Sequence, residues 1–333
     1  MPRPRVRSAE GKEVELPLWS RWSQEDPLEQ LAMKQMLLGI STRRYAGSLE
    51  QMPINVSVRG TSRSAVSRRF VAGTKKRLGD LMRRDLSKLD LVVLMSDGVH
   101  FEDHVVLAAL GIATDGTKHV LGLWEGATEN ATACKGMLVD LAARGLRTDQ
   151  TMLVVLDGAK ALRKAVKDVF GDHALIQRCQ EHERRNVADQ LPESMRKPVR
   201  RTMKEAYRCR DAKRARRLLD ALAERLDAEH PGAAASLREG VEETLTVPEL
   251  GLPDRLEQTL RTTNPIDNTF GGVRDRTRRV KKWKGGRMIL RWCAVAVLDA
   301  EANVRRIRGH AEMPKLVTAI RLRDAIDDVN AVA

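Results

Sequence analysis

The sequence is poor in aromatic residues, in paired cysteines and in long apolar runs. Phe, Trp and Tyr make up 3% of its 333 residues, which argues against nucleic-acid binding dominated by base stacking. The four cysteines, Cys134, Cys179, Cys209 and Cys293, are scattered and form no Cys-x-x-Cys pair, so a reducing cytosol fits better than a disulfide framework. No apolar run approaches the roughly 18 residues of a membrane span, and the basic N-terminus lacks the apolar core of a signal peptide. We therefore expect a cytoplasmic protein without a membrane partner.

The charge balance is strongly basic. The chain carries 59 Lys and Arg against 45 Asp and Glu, a formal net charge of +14, with an isoelectric point near 10.0. Such a balance favours a polyanionic partner, because neutralising phosphates releases condensed counterions. Charge alone leaves open a basic protein unrelated to nucleic acid. The hydrophobic content of 42% is enough for a core, and the length allows about two domains at roughly 100–200 residues each.

The middle of the chain predicts an α/β domain. Three consecutive strand-like runs, followed by alternating helix and strand, imply a mixed sheet flanked by helices. Asp115–Gly116 between the second and third runs is a hairpin signal. The predicted strands are 91–96, 104–113, 118–124, 151–156 and 174–176, and the predicted helices are about 130–145 and 159–169.

The remaining parts of the chain are predicted to be mainly helical. The full division is an irregular basic arm over 1–25, a helical region over 26–85, the α/β domain over 86–189 and 261–310, an all-helical insertion over 190–260 and a C-terminal tail over 311–333. The insertion is rich in Ala, Leu, Arg and Glu.

The helical region at 26–85 contains a pattern that resembles a helix-turn-helix. A short helix and a turn containing Gly60 precede a longer helix, which Thr61 or Ser62 caps. That helix carries Arg63, Arg68 and Arg69, which we predict to contact DNA. The alternative is a plain three-helix packing unit with a solvated basic face, and the sequence leaves both interpretations open.

Two apolar runs in the α/β domain end on an acid followed by glycine. Residues 91–96 lead to Asp97–Gly98, and residues 151–156 lead to Asp157–Gly158. Each pattern indicates a buried strand that delivers a carboxylate to the edge of a sheet. Taken singly, such an acid is common in α/β proteins. As a pair in a basic chain, the two carboxylates predict metal-assisted chemistry on nucleic acid.

A third carboxylate is needed for a full metal cluster, and Asp267 is the candidate. Asn264 and Pro265 predict a helix start, with Asn264 as cap and Pro265 in the first helical position. Asp267 then lies in the first turn, where an acid can also simply stabilise the helix dipole. Gly271 and Arg274 share its face, which leaves a low, basic surface for a DNA backbone.

The helix predicted over 265–282 becomes densely basic after Asp267, and a second helix is predicted over 286–308. A basic run is usually a solvated face, but its position directly after a candidate carboxylate favours a phosphate track. The residues predicted to hold phosphates are Arg274, Arg278, Arg279, Lys281 and Lys282.

Cys179 and His182 have the spacing of metal ligands. Two ligands do not make a tetrahedral zinc site, and the sequence offers no second pair. We therefore expect a structural role, with the cysteine at a strand end and the histidine hydrogen-bonded near the site. His100 and His104 are alternative ligands, but isolated histidines more often have local roles.

The ordered set of motifs resembles the Mutator-type transposases of bacterial insertion sequences. Asp157 follows Asp97 by 60 residues and precedes Asp267 by 110 residues, and the longer gap accommodates the helical insertion of that family. The resemblance covers about residues 10–325. The motifs are Asp97–Gly98, Asp157–Gly158, Cys179–Gln180–Glu181–His182 with Arg184–Arg185–Asn186, and Thr262–Thr263–Asn264–Pro265–Ile266–Asp267.

The resemblance implies a ribonuclease H-like catalytic domain and a DDE-type centre. Asp97, Asp157 and Asp267 would be catalytic and would bind two Mg²⁺ ions, with Mn²⁺ as an alternative. Cys179 and His182 match the family signature, and Asn264 belongs to a structural or near-site motif. The implied activity is strand cleavage at element ends and transfer of the 3′-hydroxyl into target DNA.

The implied partner is double-stranded DNA, both the terminal inverted repeats and the target. A homo-oligomer at synapsis and association with the bacterial nucleoid in the cytoplasm are also expected. Residues 26–85 would form the DNA-binding region.

Two departures from the family pattern keep other interpretations open. Asp267 stands where the family has glutamate, so its carboxylate is one methylene shorter, and the N-terminal DNA-binding region is shortened. Both fit a catalytically inactive or truncated copy that acts only by binding DNA. A third interpretation is a ribonuclease H-like nuclease unconnected with transposition. An active transposase is the interpretation we prefer.

Overall fold

A five-stranded mixed sheet forms the centre of the molecule. The computed structural model describes residues 5–14, 16–17, 27–49, 61–301 and 306–332. Its strands are β1 (Val6–Arg7), β2 (Glu13–Val14), β3 (Leu91–Phe101), β4 (His104–Ala113), β5 (Lys118–Glu125), β6 (Met152–Leu156) and β7 (Ala174–Arg178). The short β1 and β2 pair with each other, and the other five form one sheet in the order β5-β4-β3-β6-β7. The predicted mixed α/β architecture is confirmed.

Thirteen α-helices are described around this sheet. They are α1 (Pro27–Leu37), α2 (Arg63–Met82), α3 (Ala131–Ala143), α4 (Lys160–Phe170), α5 (Gln180–Asp189), α6 (Glu193–Ala206), α7 (Ala212–Asp227), α8 (Pro231–Thr244), α9 (Thr246–Glu249), α10 (Asp254–Leu260), α11 (Asn264–Thr277), α12 (Gly286–Glu301) and α13 (Met313–Val332). Within the described residues, none of these helices is long and apolar enough to cross a membrane.

Both faces of the sheet are covered, which explains why its central strands are apolar on both sides. On one face, Val93 and Val155 belong to a core shared with α10 to α13. On the other face, Leu94 and Val154 pack with α3 and α4. Strands β3, β4 and β5 are antiparallel neighbours, whereas β6 and β7 run parallel to β3.

Strand β3 is longer than the predicted 91–96. Its parallel pairing with β6 ends at Ser96 and Leu156, but its antiparallel pairing with β4 continues to Phe101. A tight turn with Glu102 at φ 50° then closes the hairpin. Asp97 therefore lies inside a strand, at the point where the neighbouring strand stops, and Asp157 follows the true end of β6.

The helices α6 to α10 lie between β7 and α11 in the chain, and α6 to α8 have a core of their own. Leu219, Leu222 and Leu237 are among its buried members. Helix α8 packs against α5 and touches β7, so this helical unit rests on the parallel end of the sheet.

Helix α2 packs on the α/β domain. Ser62 caps it by accepting a hydrogen bond from the Ala65 amide at 3.3 Å. Of the two predicted caps, Thr61 and Ser62, the structure has Ser62. Phe70 stacks at an angle on Trp292 of α12, with ring centroids 4.5 Å apart. Gly60, which defines the predicted turn, lies outside the described residues, so the helix-turn-helix stays a prediction.

Candidate active site

A cavity of about 510 Å³ opens at the sheet edge where β6 ends. It contains all three predicted acids, together with His182 and Arg274. A larger cavity of about 690 Å³ lies between residues 251–257 and 309–315 and contains none of these five side chains. The residues that line the smaller cavity are Asp97, Gly98, His100, Val105, Ala127, Thr128, Glu129, Asp157, Gly158, Ala159, His182, Arg185, Asn186, Asp267 and Arg274.

Asp97 and Asp157 are neighbours because of the strand register. Ser96 pairs with Leu156, so the two acids follow on adjacent strands, about 5 Å apart at the backbone. Each carboxylate is oriented by a nearby amide. Asp97 Oδ1 accepts from the Gly98 amide at 2.8 Å, and Asp157 Oδ1 accepts from the Ala159 amide at 2.9 Å.

Asp97 is a buried acid, with 6% of the residue exposed. Its pKa is raised to about 6, mainly by burial and also by the nearby carboxylates of Asp157 and Asp267, while the charge of His182 and a hydrogen bond from Thr263 act in the opposite direction. Asp157 and Asp267 therefore both lie within electrostatic range of Asp97.

The Cys179 and His182 pair lies at the start of α5, directly beside the acids. Cys179 is buried, and its sulfur accepts from the Thr263 amide at 3.4 Å and lies 3.6 Å from the Thr263 hydroxyl. A hydrogen bond to Cys179 raises the pKa of His182 to about 9. Burial raises the pKa of Cys179, but the hydrogen bonds and charge of His182, together with the Thr263 amide, outweigh this effect and leave the pKa below the ordinary value. The two side chains are thus linked by hydrogen bonds, and two ligands alone do not make a tetrahedral zinc site.

Thr263 joins this pair to the helix that carries the third acid. Its hydroxyl lies 3.4 Å from His182 Nδ1 and is also within reach of Asp97. A hydroxyl has one proton and can also accept, so Thr263 can donate to Asp97 while it accepts from a protonated His182. Thr263 immediately precedes α11, and the contact therefore links Cys179 to a segment 84 residues later in the chain.

The sequence matches one protein family over almost its whole length. Residues 4–306 match the family described as Transposase, Mutator family. This chain belongs to the Mutator family of transposases.

Three curated relatives illustrate the family match. The transposase for insertion sequence element IS6120 of Mycolicibacterium smegmatis is 32% identical over 291 residues, which cover 86% of each chain. The transposase for insertion sequence element IS406 of Burkholderia multivorans is 30% identical over 288 residues, 83% of this chain and 70% of the relative. The transposase for insertion sequence element IST2 of Acidithiobacillus ferrooxidans is 29% identical over 176 residues, 53% of this chain and 58% of the relative.

Helix α11 of this Mutator-family protein begins one residue earlier than predicted. Asn264 is the first helical residue, and Thr263 holds the cap position without a side-chain cap bond. The predicted cap at Asn264 is therefore wrong by one position, and the Thr263 side chain is instead directed to Cys179 and His182. Asp267 remains in the first turn.

The basic run after Asp267 divides into several environments. Helix α11 ends at Thr277, short of the predicted 282, and like charges at i,i+3 and i,i+4 disfavour its continuation. Arg274 lines the cavity, while the Arg279 guanidinium donates to the Gly39 carbonyl at 2.9 Å. The predicted residues that are exposed beyond the helix end are Arg278, Arg279, Lys281 and Lys282.

Two of the three predicted DNA-contacting arginines of α2 lie on the side away from its buried face. Arg63 and Arg68 are exposed and Arg69 is half-buried, whereas Val66 and Phe70 are buried. The helix therefore presents a basic face to solvent, as both the DNA-contacting and the plain packing interpretations require.

Sequence reasoning gave no site role to several residues of the cavity. Arg185 and Asn186, which it named only as part of a motif, lie three and four residues after His182 on α5, so helical spacing could have placed them on the same face. Glu129 lies in the connection between β5 and α3, where no periodic pattern marks it. His100 lines the cavity as well, while His104 instead pairs with Glu125 at 3.7 Å.

The acids have the chemistry of a Mg²⁺ site without forming a compact cluster. Carboxylate oxygens are the ligands that Mg²⁺ prefers, and a cation would relieve the repulsion that raises the pKa of Asp97. Within the described part of the chain, however, no three His, Cys, Asp or Glu side chains come together closely enough to hold a metal ion. The residue types therefore fit Mg²⁺, and binding depends on whether the Asp267 carboxylate can approach the ion held by the other two acids.

We expect Asp97→Asn to stabilise the metal-free protein at neutral pH. Asp97 binds its proton more tightly when folded, because its pKa is about 6 against an ordinary 3.8. Its ionisation therefore destabilises the fold progressively from about pH 4 to pH 6 and fully above, by at most roughly 3 kcal/mol. Urea unfolding with a chelator at pH 4.5 and pH 7.5 measures the effect. Equal changes at both pH values would contradict it.

We also expect Thr263→Val to destabilise the protein by about 1–2 kcal/mol, since the Cys179 and His182 groups lose a buried partner. Thr269→Val is the matched control, because Thr269 is also buried and its hydroxyl donates to the Pro265 carbonyl of its own helix at 2.8 Å. Chemical denaturation of both variants compares the losses. A Thr263 loss no larger than that of the control would show that the link does not stabilise the fold.

Proposed function

We propose that this chain is an insertion-sequence transposase with a DDE-type centre. It cleaves DNA at the element ends and transfers the freed 3′-hydroxyl into target DNA at the same site. The observation that carries the proposal is the single cavity lined by Asp97, Asp157 and Asp267 in a chain of the Mutator family.

The topology supports a ribonuclease H-like assignment for the catalytic domain. Three antiparallel strands, β3 to β5, are followed by β6 and β7, which run parallel to β3. The helical unit α6 to α10 enters between β7 and α11, where the family places its insertion. In this proposal, residues 86–189 and 261–310 form the catalytic domain.

Asp97 and Asp157 would hold Mg²⁺ with Asp267 as the third ligand, and Mn²⁺ is the alternative ion. When bound, the ions supply activation of the attacking oxygen and stabilisation of the leaving oxygen. The chain's own groups would orient the ligands. The Gly98 and Ala159 amides orient the two neighbouring carboxylates.

Cations in and beside the cavity would hold the DNA backbone. Arg185 and Arg274 line the cavity wall, where they are placed to contact phosphates next to the scissile bond. Among the described residues, and apart from the adjoining residues and backbone of its own helix, no atom lies within 4 Å of the place where a Gly271 Cβ would stand, so the surface beside Asp267 is open. Beyond the cavity, exposed Lys281 and Lys282 extend the basic surface.

The proposed partners follow from the reaction. Double-stranded DNA is both element end and target, and Arg63, Arg68 and Arg69 of α2 would contribute to end recognition. Joining two ends in one synapsis requires at least two copies of the chain, so a homo-oligomer is part of the proposal. Action on chromosomal DNA places the protein at the bacterial nucleoid.

Asp157→Asn tests the catalytic assignment. We expect strand transfer to fall by roughly 1,000-fold, since several kcal/mol of charge stabilisation are lost, while the affinity for end DNA is retained. The assay joins a labelled oligonucleotide of the element end to plasmid DNA in Mg²⁺, and gel-shift titration measures binding. Asp172→Asn, at an exposed acid outside the cavity, is the matched control.

Unchanged strand transfer in the Asp157 variant would exclude this assignment. Cleavage without joining in the wild-type protein would instead favour a ribonuclease H-like nuclease unconnected with transposition.

One observation favours a second function, a catalytically inactive protein that only occupies element ends. The three acids share a cavity but do not form a metal-holding group within the described residues. Asp267→Glu lengthens the side chain of the third acid by roughly 1.5 Å. This variant distinguishes the catalytic function from the binding-only function.

We expect Asp267→Glu to raise the cleavage rate by about 10- to 100-fold, because small errors in ligand placement are costly in rate. Single-turnover cleavage of end DNA measures it, with Asp275→Glu on the same helix as control. If neither wild type nor variant cuts but both bind end DNA, the binding-only function is correct. A slower variant would show that the site uses the shorter side chain as it stands.

A further inference from the structure

Arg178 lies buried behind the turn that carries Asp157. Its side chain is 5% exposed, and it stands at the end of β7, next to the end of β6. One guanidinium nitrogen donates to the Gly158 carbonyl at 3.2 Å. Arg178 is not among the cavity-lining residues, so it contacts the turn from outside the cavity.

The turn and the arginine are fitted closely to each other. Gly158 has φ 99°, a conformation that favours glycine. A Cβ at this position would stand 2.9 Å from Arg178 Nε, so the absence of a side chain lets the guanidinium reach the backbone. The Ala159 amide on the other side of the turn donates to Asp157 Oδ1. The Asp157 carboxylate and the arginine therefore act on the same three-residue turn.

Three glutamates hold the arginine in place, and two of them come from the helical unit. Glu183 of α5 accepts from Arg178 at 3.0 Å and is fully buried. Glu239 of α8 accepts at 3.3 Å, and Glu243 of α8 lies 3.9 Å from Nε. Because a buried cation without partners is strongly destabilising, these carboxylates determine where Arg178 can stand.

Helix α4 completes the charge balance around α8. Lys160 pairs with Glu239 at 3.2 Å, and Arg163 pairs with Glu243. Three cations thus face three carboxylates. Because α4 begins immediately after the Asp157 turn, α8 is bonded both to Arg178 and to the helix that continues from the turn.

Helix α8 can approach this closely because it carries a glycine at the contact. A Cβ on Gly240 would stand 2.5 Å from the Glu183 carboxyl carbon. The side chains that flank this position on the α8 face toward β7 are Glu239 and Glu243. Helix α8 of the helical unit therefore packs close to the Asp157 turn, and its glutamates bond to the arginine that contacts that turn.

We propose that Arg178 is a positioning residue through which helix α8 of the insertion fixes the Asp157–Gly158–Ala159 turn and thereby the Asp157 carboxylate. The inference rests on the proposed catalytic role of Asp157. It assigns the insertion a part in the geometry of the site, in addition to any contact that it makes with DNA.

Arg178→Lys tests the proposal while it retains the positive charge. Lysine cannot bridge Glu183 and the Gly158 carbonyl with one planar fork, so the turn should loosen. We expect exchange of the Ala159 amide to become about ten-fold faster or more. We expect single-turnover cleavage of end DNA to fall by about 10- to 100-fold, with the affinity for that DNA changed by less than about two-fold.

Arg144→Lys is the matched control. Arg144 is similarly buried, with 9% exposure of its side chain, and it combines an ion pair to Asp140 with a bond to the Leu81 carbonyl. It does not line the cavity. We expect this variant to leave Ala159 exchange and the cleavage rate unchanged, which separates positioning of Asp157 from a general loss of stability.

Glu239→Gln provides a second variant from the insertion itself. The Glu239 side chain is 43% exposed, so the substitution is compatible with folding, and we expect it to shift Ala159 exchange in the same direction as Arg178→Lys. Unchanged exchange and cleavage in both variants would overturn the proposal, as would equal effects in the Arg144 control. If the wild-type protein does not cleave DNA, the proposed function fails, and the exchange measurement still decides the role of Arg178.

Discussion

The parallel pairing of β3 with β6 is the constraint on which the site depends. It brings together two strands that are separated by 60 residues between their acids, and its last pair, Ser96 with Leu156, puts Asp97 and Asp157 side by side. Burial on both faces fixes this register, since a slip by one residue would exchange the side chains that pack in two different close-packed cores. The position of both carboxylates is therefore determined by the same packing that stabilises the sheet.

The negative charges of these acids destabilise the sheet edge on which they lie. A carboxylate as buried as Asp97 resists ionisation, and the two neighbouring carboxylates add repulsion. The positive charge of His182 offsets part of this effect and lies at the cavity wall. A hydrogen bond with Cys179 in turn favours that charge. The Cys179 and His182 pair thus lowers the repulsion at Asp97, although two ligands alone do not make a metal centre.

The sequence predicted the elements whose signals are local. Apolar runs located the five strands of the sheet, and their acidic ends located Asp97 and Asp157. Boundaries that depend on tertiary contacts were less accurate. Strand β3 continues past Asp97 because β4 pairs with it to Phe101. Helix α11 begins at Asn264, and its cap residue Thr263 makes no side-chain cap bond because its hydroxyl faces Cys179 and His182.

Residues that act across long sequence distances were beyond sequence reasoning. Arg178 lies between two predicted features, a strand and the Cys-x-x-His motif, and its partners Glu239 and Glu243 are about 60 residues away in a helix that the sequence marks only by its apolar spacing. A basic residue in a basic chain carries no distinguishing signal. Its importance comes from burial, which no local pattern reports.

The buried charge cluster is better explained by placement than by stability. Replacing buried ion pairs with apolar groups is often neutral or stabilising, because desolvation offsets much of the Coulombic attraction. An apolar contact between α8 and the sheet would tolerate sliding, whereas the fork of Arg178 requires Glu183, Glu239 and the Gly158 carbonyl in defined directions. A helical unit inserted between the second and third acids has to re-enter the domain in a fixed position. The directional bonds of Arg178 satisfy that requirement, and they lie next to the Asp157 carboxylate.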